Sequence, residues 1–330
     1  VSTARAELIA DRGEAASDNE FFRSRPFLDA EGATHTLRIT SEDTELRAPL
    51  IVREIPGTDQ HDAVSPYGYP GLIESDGRRG GVRGTLPAVS PADTPPPPPT
   101  LEPSAIDWTA TNLVSVFIRH ALGPSPLANA TERNVVQIAD PALPPKSRPS
   151  DRRQVRRNLE AGYGLDLVPG PETTQQQRST FLTAYEQTMR RTGAAEHYFF
   201  SAAYFDRILE ADRTWLALAT TPDGEVAAAS IAAVSDGYLH YYLSGTADSH
   251  LRDAPMKNVV TRLVEHSREL GLPLNLGGGI SAGDALEEFK RGFANRQQAW
   301  LTSELICDEE KYAELSAGRK AEGFFPAYRA

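Results

Sequence analysis

Hydrophobic and polar positions follow their clearest periods between residues 214 and 306, and the order of those periods predicts most of an architecture. Residues 214–220 and 225–234 are apolar runs of strand length. They are separated by Thr221-Pro222-Asp223-Gly224, where proline presets φ and glycine accepts positive φ. A third run, 237–243, is dense in aromatics that suit a pleated, half-buried surface, and Ser244-Gly245-Thr246 is expected to break it. From Pro255 the period changes. Val259, Val260, Leu263, Val264 and Leu270 recur near helical spacing, with Lys257, Arg262, Glu265, Arg268 and Glu269 between them. Gly271 stands where a C-terminal cap belongs. Leu274-Asn275-Leu276 is too short for anything but a strand, and Gly277-Gly278-Gly279 lets the backbone turn sharply or approach a ligand. A second helix is expected over 282–292 and a last strand over 299–306. Strand, helix, strand over this length is a crossover joining parallel strands.

The upstream half is less regular. Residues 1–30 read as mostly polar and frayed at the beginning, with at most a short helix near Phe21-Phe22. Strands are expected at 34–39 and 46–55. The loop 62–71 carries Tyr67 and Tyr69 between prolines with one glycine separating them, so in an extended chain both phenols point to one side. Such phenols can stack on a flat ligand, or they can plug a gap between domains. Residues 76–84 mix Arg78, Arg79 and Arg83 with glycines, which suits either a phosphate or a surface loop. The proline run within 91–103 predicts a stiff connector. A helix is expected over 106–113, buried strands over 114–118 and 134–138, a basic helix over 148–163, and a strand over 165–168. A long helix is expected over 173–192. A further helix starts at the N-cap Ser201, with Tyr204, Phe205, Ile208 and Leu209 facing inward.

Composition narrows the classes. At 330 residues, 40% of them hydrophobic, the chain has core material for two ordinary domains. No run approaches the roughly 20 apolar residues of a spanning helix, and no signal peptide is visible, so a cytoplasmic protein is expected. A single cysteine, Cys307, excludes an intrachain disulfide and a cysteine-rich zinc site, and no metal is expected. The net charge of −11 sits poorly with a nucleic-acid partner unless the basic residues are gathered locally. They are gathered at 78–83, at Arg148, Arg152, Arg153, Arg156 and Arg157, and at Arg190-Arg191. A solvated helix face is the plainer reading of the second group.

Taken in order, a three-strand meander, then helix, strand, helix and strand, is the arrangement of the acetyltransferase fold called GNAT. The segments YYLSGT (241–246), LGGG (276–279) and FKRGF (289–293) at these separations resemble the FemABX family, and SPYGYPG (65–71) looks like a motif of that family's first domain. The resemblance runs from about Thr34 to Tyr312. It implies an α/β fold of two tandem GNAT-like domains, each a mixed, largely antiparallel sheet flanked by helices. These would span 1–165, including the connector at 91–103, and 166–330. It implies transfer of an amino acid from aminoacyl-tRNA to an amine-bearing small molecule or peptide, in cell-wall or natural-product synthesis. Aminoacyl-tRNA would be the co-substrate, with no other cofactor and no membrane.

The family's Phe-Lys pair, proposed to assist the acyl donor and the developing charge, falls on Phe289 and Lys290. Substrate-binding candidates are Tyr67, Tyr69, Arg79, Arg83, His240, Tyr242, Gly277, Gly278 and Gly279; His240 could serve as a base or simply pack between strands. Arg153, Arg156 and Arg157 are the candidates for contact with tRNA. Acyl-CoA-dependent GNAT proteins carry a glycine-rich pyrophosphate loop between the third meander strand and the following helix. Here that junction, 245–255, has one glycine, two aspartates (Asp248 and Asp253) and a proline, which argues against CoA. An N-acyltransferase using a thioester donor and a catalytically inert tandem GNAT module remain as alternatives.

Overall fold

The structure is a computed structural model and describes residues 4–42, 44–74, 100–281, 283–319 and 323–330. The first half of the chain supplies β1 (Ala4–Ile9), α1 (Arg25–Ala30), β2 (His35–Thr40), β3 (Glu45–Glu54), β4 (His61–Val64) and β5 (Ile73–Glu74). It continues with β6 (Ile106–Asp107), β7 (Leu113–Arg119), β8 (Thr131–Ala139) and α2 (Pro149–Glu160). The second half supplies β9 (Gly164–Pro169), α3 (Gln175–Thr192), α4 (Ala202–Ile208), β10 (Thr214–Thr220), β11 (Val226–Ser235) and β12 (Tyr238–Thr246). It ends with α5 (Met256–Leu270), β13 (Leu274–Asn275), α6 (Ala285–Arg291), β14 (Arg296–Ile306) and α7 (Glu309–Ser316).

Among the described residues the strands join in one sheet, ordered β6-β1-β2-β3-β4-β7-β14-β8-β13-β12-β11-β10-β9, with β5 beside β3. Most pairings are antiparallel; β1 with β6, β4 with β7 and β12 with β13 are parallel. The order reads alike from both ends. An antiparallel meander (β2-β3-β4, or β10-β11-β12) meets a parallel strand (β7, or β13). In the middle β14 pairs with β7, β8 pairs with β13, and β8 and β14 pair with each other. Each half therefore sends its last strand beside the other half's parallel strand. The result is a large mixed sheet flanked by helices, consistent with two tandem GNAT-like domains. It runs without a break past 165/166, because β8 lies in the second half's sheet and β14 next to the first half's β7.

The crossover β12-α5-β13 has the parallel register that its sequence pattern demands. Half of β11 is alanine, and the strand is buried on both faces. Ala229, Ile231 and Ala233 face a core shared with α3 and α4, and Ala228, Ala232 and Val234 face the side covered by α5. Small side chains there let helices lie close on both sides. α3 opens on a reciprocal capping box between Thr174 and Gln177 and closes on Gly193 in the left-handed region. Asp236-Gly237, with φ of 50° and 77°, makes the tight two-residue turn between β11 and β12.

Four expectations are corrected. From Ala4 onward the opening segment is built into the fold and not merely polar: β1 pairs with β2, Ser24 caps α1, and Phe21, Phe22, Phe27 and Leu28 are fully buried in the core of the second half, against α3 and α4. Its polar look reflects residues that flank a compact aromatic plug. The segment 106–113 is not helical. Ile106-Asp107 extends beside β1, and Thr111 turns back onto the Trp108 carbonyl, so pairing with a sheet edge overrides helix propensity. Ser244-Gly245-Thr246 does not break β12, which pairs with β11 as far as Thr246. Gly245 is there because α3 crosses over it, its backbone at Ala184 and Tyr185 leaving no room for a Cβ. The second helix begins at Ala285, because Asp284 caps it by accepting from the Glu287 amide at 2.7 Å.

Candidate active site

The pairing of β12 with β13 stops at His240 opposite Asn275. Beyond that point the strands part, and the chain leaving β13 becomes the glycine loop. Gly277 has φ 75°, a left-handed conformation that a side chain would strain, and a Cβ there would stand 3.2 Å from the Lys290 Nζ. A Cβ on Gly278 would meet the Asn134 amide at 2.6 Å. The loop is held from both sides. The Gln137 amide of β8 donates to the Gly277 carbonyl, and the Asn134 Nδ2 donates to the Gly279 carbonyl at 3.0 Å. Lys290 reaches in from α6 and donates to the Gly278 carbonyl at 2.6 Å.

Lys290 is 8% exposed. Burial pulls its ammonium down to about 8, partly opposed by the nearby Asp284 carboxylate. It is therefore not an ordinary surface lysine with helical partners; the neighbouring Glu287 is taken by Arg291 and the Gly283 amide. An ammonium has three donors, and one of them is spent on Gly278. The remaining ones can meet an oxygen on which negative charge develops. Phe289, half-buried, packs edge-on to Phe293 at 5.5 Å and fixes the helix over the second core.

His240 proves to be a positioning residue. It is 2% exposed and lies edge-on to Phe22 at 4.9 Å. Its Nε2 donates to the Ser235 carbonyl at 3.1 Å, so its Nδ1 accepts from the Asn275 Nδ2 at 3.1 Å. Asn275 in turn accepts from the Gly277 amide at 2.8 Å. With both ring nitrogens engaged, the His240 ring has no free lone pair to take a proton in this arrangement, and burial lowers its pKa to about 4. It orients Asn275, and Asn275 shapes the loop above Lys290. Asn275→Leu is expected to cost about 1–3 kcal/mol by stranding the His240 and Gly277 partners, read as the shift in a urea unfolding midpoint; an unchanged midpoint would remove Asn275 from this chain of contacts.

Tyr67, Tyr69 and Tyr242 meet in one aromatic cluster between the halves. Tyr67 packs against Tyr198, Phe200 and Tyr242, and Tyr69 against Phe22, His240 and Trp300. The two phenols thus serve the gap-plugging role more than an outward stacking one. Tyr242 and His240 share a face, as their spacing predicts, while Tyr241 turns to the other side and bonds Ser244. At the edge of the cluster Glu31 accepts from the Tyr204 hydroxyl and from the Tyr67 amide, both at 2.7 Å. The Tyr204 hydroxyl lies 2.9 Å from that of Tyr242. Burial raises the Glu31 carboxyl, while Arg119, itself half-buried and bonded to the Ser65 carbonyl, draws it down. This polar patch was missed in the sequence, because Glu31 lies in a stretch with no period. Asn275 was missed as well, although its position carries a signal: an amide between two leucines of a buried strand must find partners.

The other candidates fall elsewhere. Arg153, Arg156 and Arg157 are exposed on α2, with Arg156 beside Glu160. Arg79 and Arg83 lie outside the described residues, as does most of the proline run. α2 itself covers the start of α5. Gln154 and Asn158 both donate to the Asp253 carbonyl, Tyr163 donates to the Asp253 carboxylate, Asn158 donates to Asn258, and Lys257 pairs with the buried Asp151 at 2.8 Å. The helix start therefore already has carboxylates and a second helix lying against it.

With that geometry in view, the class is an acyltransferase fold of the GNAT type. Residues 145–291 match the family described as acetyltransferase (GNAT) domain. No curated protein sequence matches the chain. Among solved structures it is similar to FemX over 94% of this chain and 99% of that one, at TM-score 0.59 and 10% identity. It is similar to the C-terminal domain of a putative lysylphosphatidylglycerol synthetase from Agrobacterium fabrum over 91% and 93%, at TM-score 0.54 and 13% identity. A looser likeness, TM-score 0.44, links it to L-PGS from Bacillus licheniformis, of which it spans 62%. At these identities the likeness is one of fold.

Proposed function

We propose that this protein transfers an aminoacyl group from aminoacyl-tRNA to an amine, forming an amide bond. The observation that carries the reading is Lys290, a buried ammonium held to the Gly278 carbonyl from the helix that follows the glycine loop. In this role the lysine stabilises the negative charge that builds on the ester carbonyl oxygen as the amine attacks. The amine nitrogen bonds to the carbonyl carbon, the ribose oxygen leaves with the electron pair of the broken ester bond, and the proton shed by the amine ends on that oxygen, giving amide and free hydroxyl. The described site holds no unengaged histidine for that proton. Positioning of amine and ester supplies much of the rate.

The covered start of α5 supports a donor other than acyl-CoA, because a pyrophosphate placed there would meet Asp253 and displace α2. The half-open patch of Glu31, Tyr204 and Arg119 suits an acceptor that carries an ammonium, with the carboxylate as its partner. The likeness of fold to FemX agrees with the FemABX resemblance of the sequence, which implies an aminoacyl-tRNA donor. A mixture of charged tRNAs incubated with candidate amines should lose aminoacyl ester only when protein and amine are both present. Calorimetry with CoA should give no saturable heat; tight CoA binding would favour the thioester-dependent N-acyltransferase instead.

A further inference from the structure

A pocket of about 460 Å³ opens beside the glycine loop, where α6 crosses β8 and β14. Gln137, Lys146, Arg291, Asn295, Arg296 and Gln297 line it, and no carboxylate does. Gln137 is completely buried; its Oε1 accepts from the Gln297 Nε2 at 3.3 Å, and its own Nε2 has no partner. The Nε atoms of Arg291 and Arg296 are also buried and unpartnered, although the Arg296 Nε lies 3.2 Å from an Asp140 oxygen without forming a hydrogen bond. Buried donors without acceptors are costly and uncommon. Three of them around one pocket, with an exposed lysine at its edge, constitute a demand for an anion with several acceptor oxygens. The other guanidinium nitrogens are engaged, those of Arg291 by Glu287 and Glu288 and one of Arg296 by the Gln298 Oε1 at 3.1 Å, so the donors left over are the buried Gln137 amide and the two Nε atoms.

We propose that this pocket binds a phosphate group, that of the nucleotide carrying the acyl group; the nucleotide's identity rests on the transfer reading above, the phosphate chemistry does not. The placement fits. Gln137 is bonded through its backbone to the glycine loop in both directions, donating to the Gly277 carbonyl at 3.1 Å and accepting from the Leu276 amide at 2.9 Å. A phosphate held here would lie beside Gln137, which bonds the glycine loop, and Arg291, which follows Lys290 on α6. Guanidinium and amide donors of this kind position a nucleotide without reading its base.

Inorganic phosphate titrated into the full chain by calorimetry should bind saturably. The double variant Lys146→Ala, Arg296→Gln should weaken it about tenfold or more. Gln137→Leu, which removes the orphan amide and no charge, should weaken it too, in a protein whose unfolding midpoint shows that it is folded. AMP and a short RNA stem ending in CCA are then tested as competitors. Displacement by the RNA assigns the phosphate to the donor's terminal nucleotide, and displacement by AMP alone assigns it to a free nucleotide. No saturable binding to the wild type, or equal binding by both variants, would overturn the site; displacement by neither competitor would overturn the nucleotide assignment. Phosphate binding without aminoacyl transfer would leave the pocket standing and remove the functional reading, and transfer without phosphate binding would do the reverse.

Discussion

Lys290→Ala lowers the single-turnover rate of aminoacyl transfer by about 10²- to 10³-fold, the loss usual for a donor aimed at developing negative charge, while the protein stays folded. The second half of the expectation follows from burial. The side chain carries a charge into a site that is 8% exposed, so removing it relieves a desolvation cost as well as deleting one hydrogen bond. pH tells a chemical role from a structural one. A lysine pulled down to about 8 loses its proton near the top of the physiological range. The rate in the wild type should fall as pH rises through that value, and Lys290→Arg, which stays protonated, should move the fall to higher pH. The linkage to stability has the opposite sense. The unfolded chain, titrating near the ordinary 10.5, binds more protons than the folded one between about 8 and 10.5, so stability rises with pH across that window and is lost as pH falls through about 8. Lys290→Met should flatten that slope. Wild-type turnover in a folded Lys290→Ala protein would remove the lysine from the chemistry.

Arg23→Ala destabilises the protein by about 3 kcal/mol or more. Arg23 is 3% exposed and grips Asp236 with two nitrogens, at 3.0 Å and 2.6 Å, while also donating to the Pro70 carbonyl at 2.9 Å. One side chain thus binds the opening segment to the β11–β12 turn of the second half and to the tyrosine loop of the first. Truncation leaves the Asp236 carboxylate beside Glu20, whose own carboxyl is raised by burial and by that neighbour, with only the exposed Arg213 nearby to offset them. Arg23→Lys keeps the charge and loses the planar fork, so it should recover part of the stability and not all. Urea unfolding midpoints of the three proteins measure this. An Arg23→Ala midpoint equal to that of the wild type would mean that the two halves are held together without this contact.

The elements from β10 to β14 were legible because each carries its own period and punctuation. Pro222-Asp223-Gly224 closes one turn, Gly271 ends α5, and the leucines around Asn275 can only be a strand. What the sequence hid depends on distance. Nothing local in residues 1–30 says that Phe21 and Phe22 fill the core of the far half, or that Arg23 pairs with a residue 213 positions away. Gly245 looks like a strand break until α3 is laid over it. The exchange of β8 and β14 cannot be read from either strand alone, since neither carries a pattern that names its partner. In the site, Lys290 and the three glycines were found through a family resemblance. The partners that give them meaning, Asn134, Asn275 and Gln137, come from separate strands. His240 was identified as a residue of interest, but its role as a neutral orienting group appears only once both ring nitrogens have named partners.

The most direct test of the central claim is the ribonuclease sensitivity of turnover. Amine and purified aminoacyl-tRNA labelled in the amino acid are mixed with the protein, and amide product is counted with the tRNA intact, after ribonuclease digestion, and with the same acyl group on CoA instead. Product formation from intact tRNA, with its loss on digestion and none from the thioester, is the predicted result. Product that survives digestion, or arises as readily from the CoA thioester, would contradict the account.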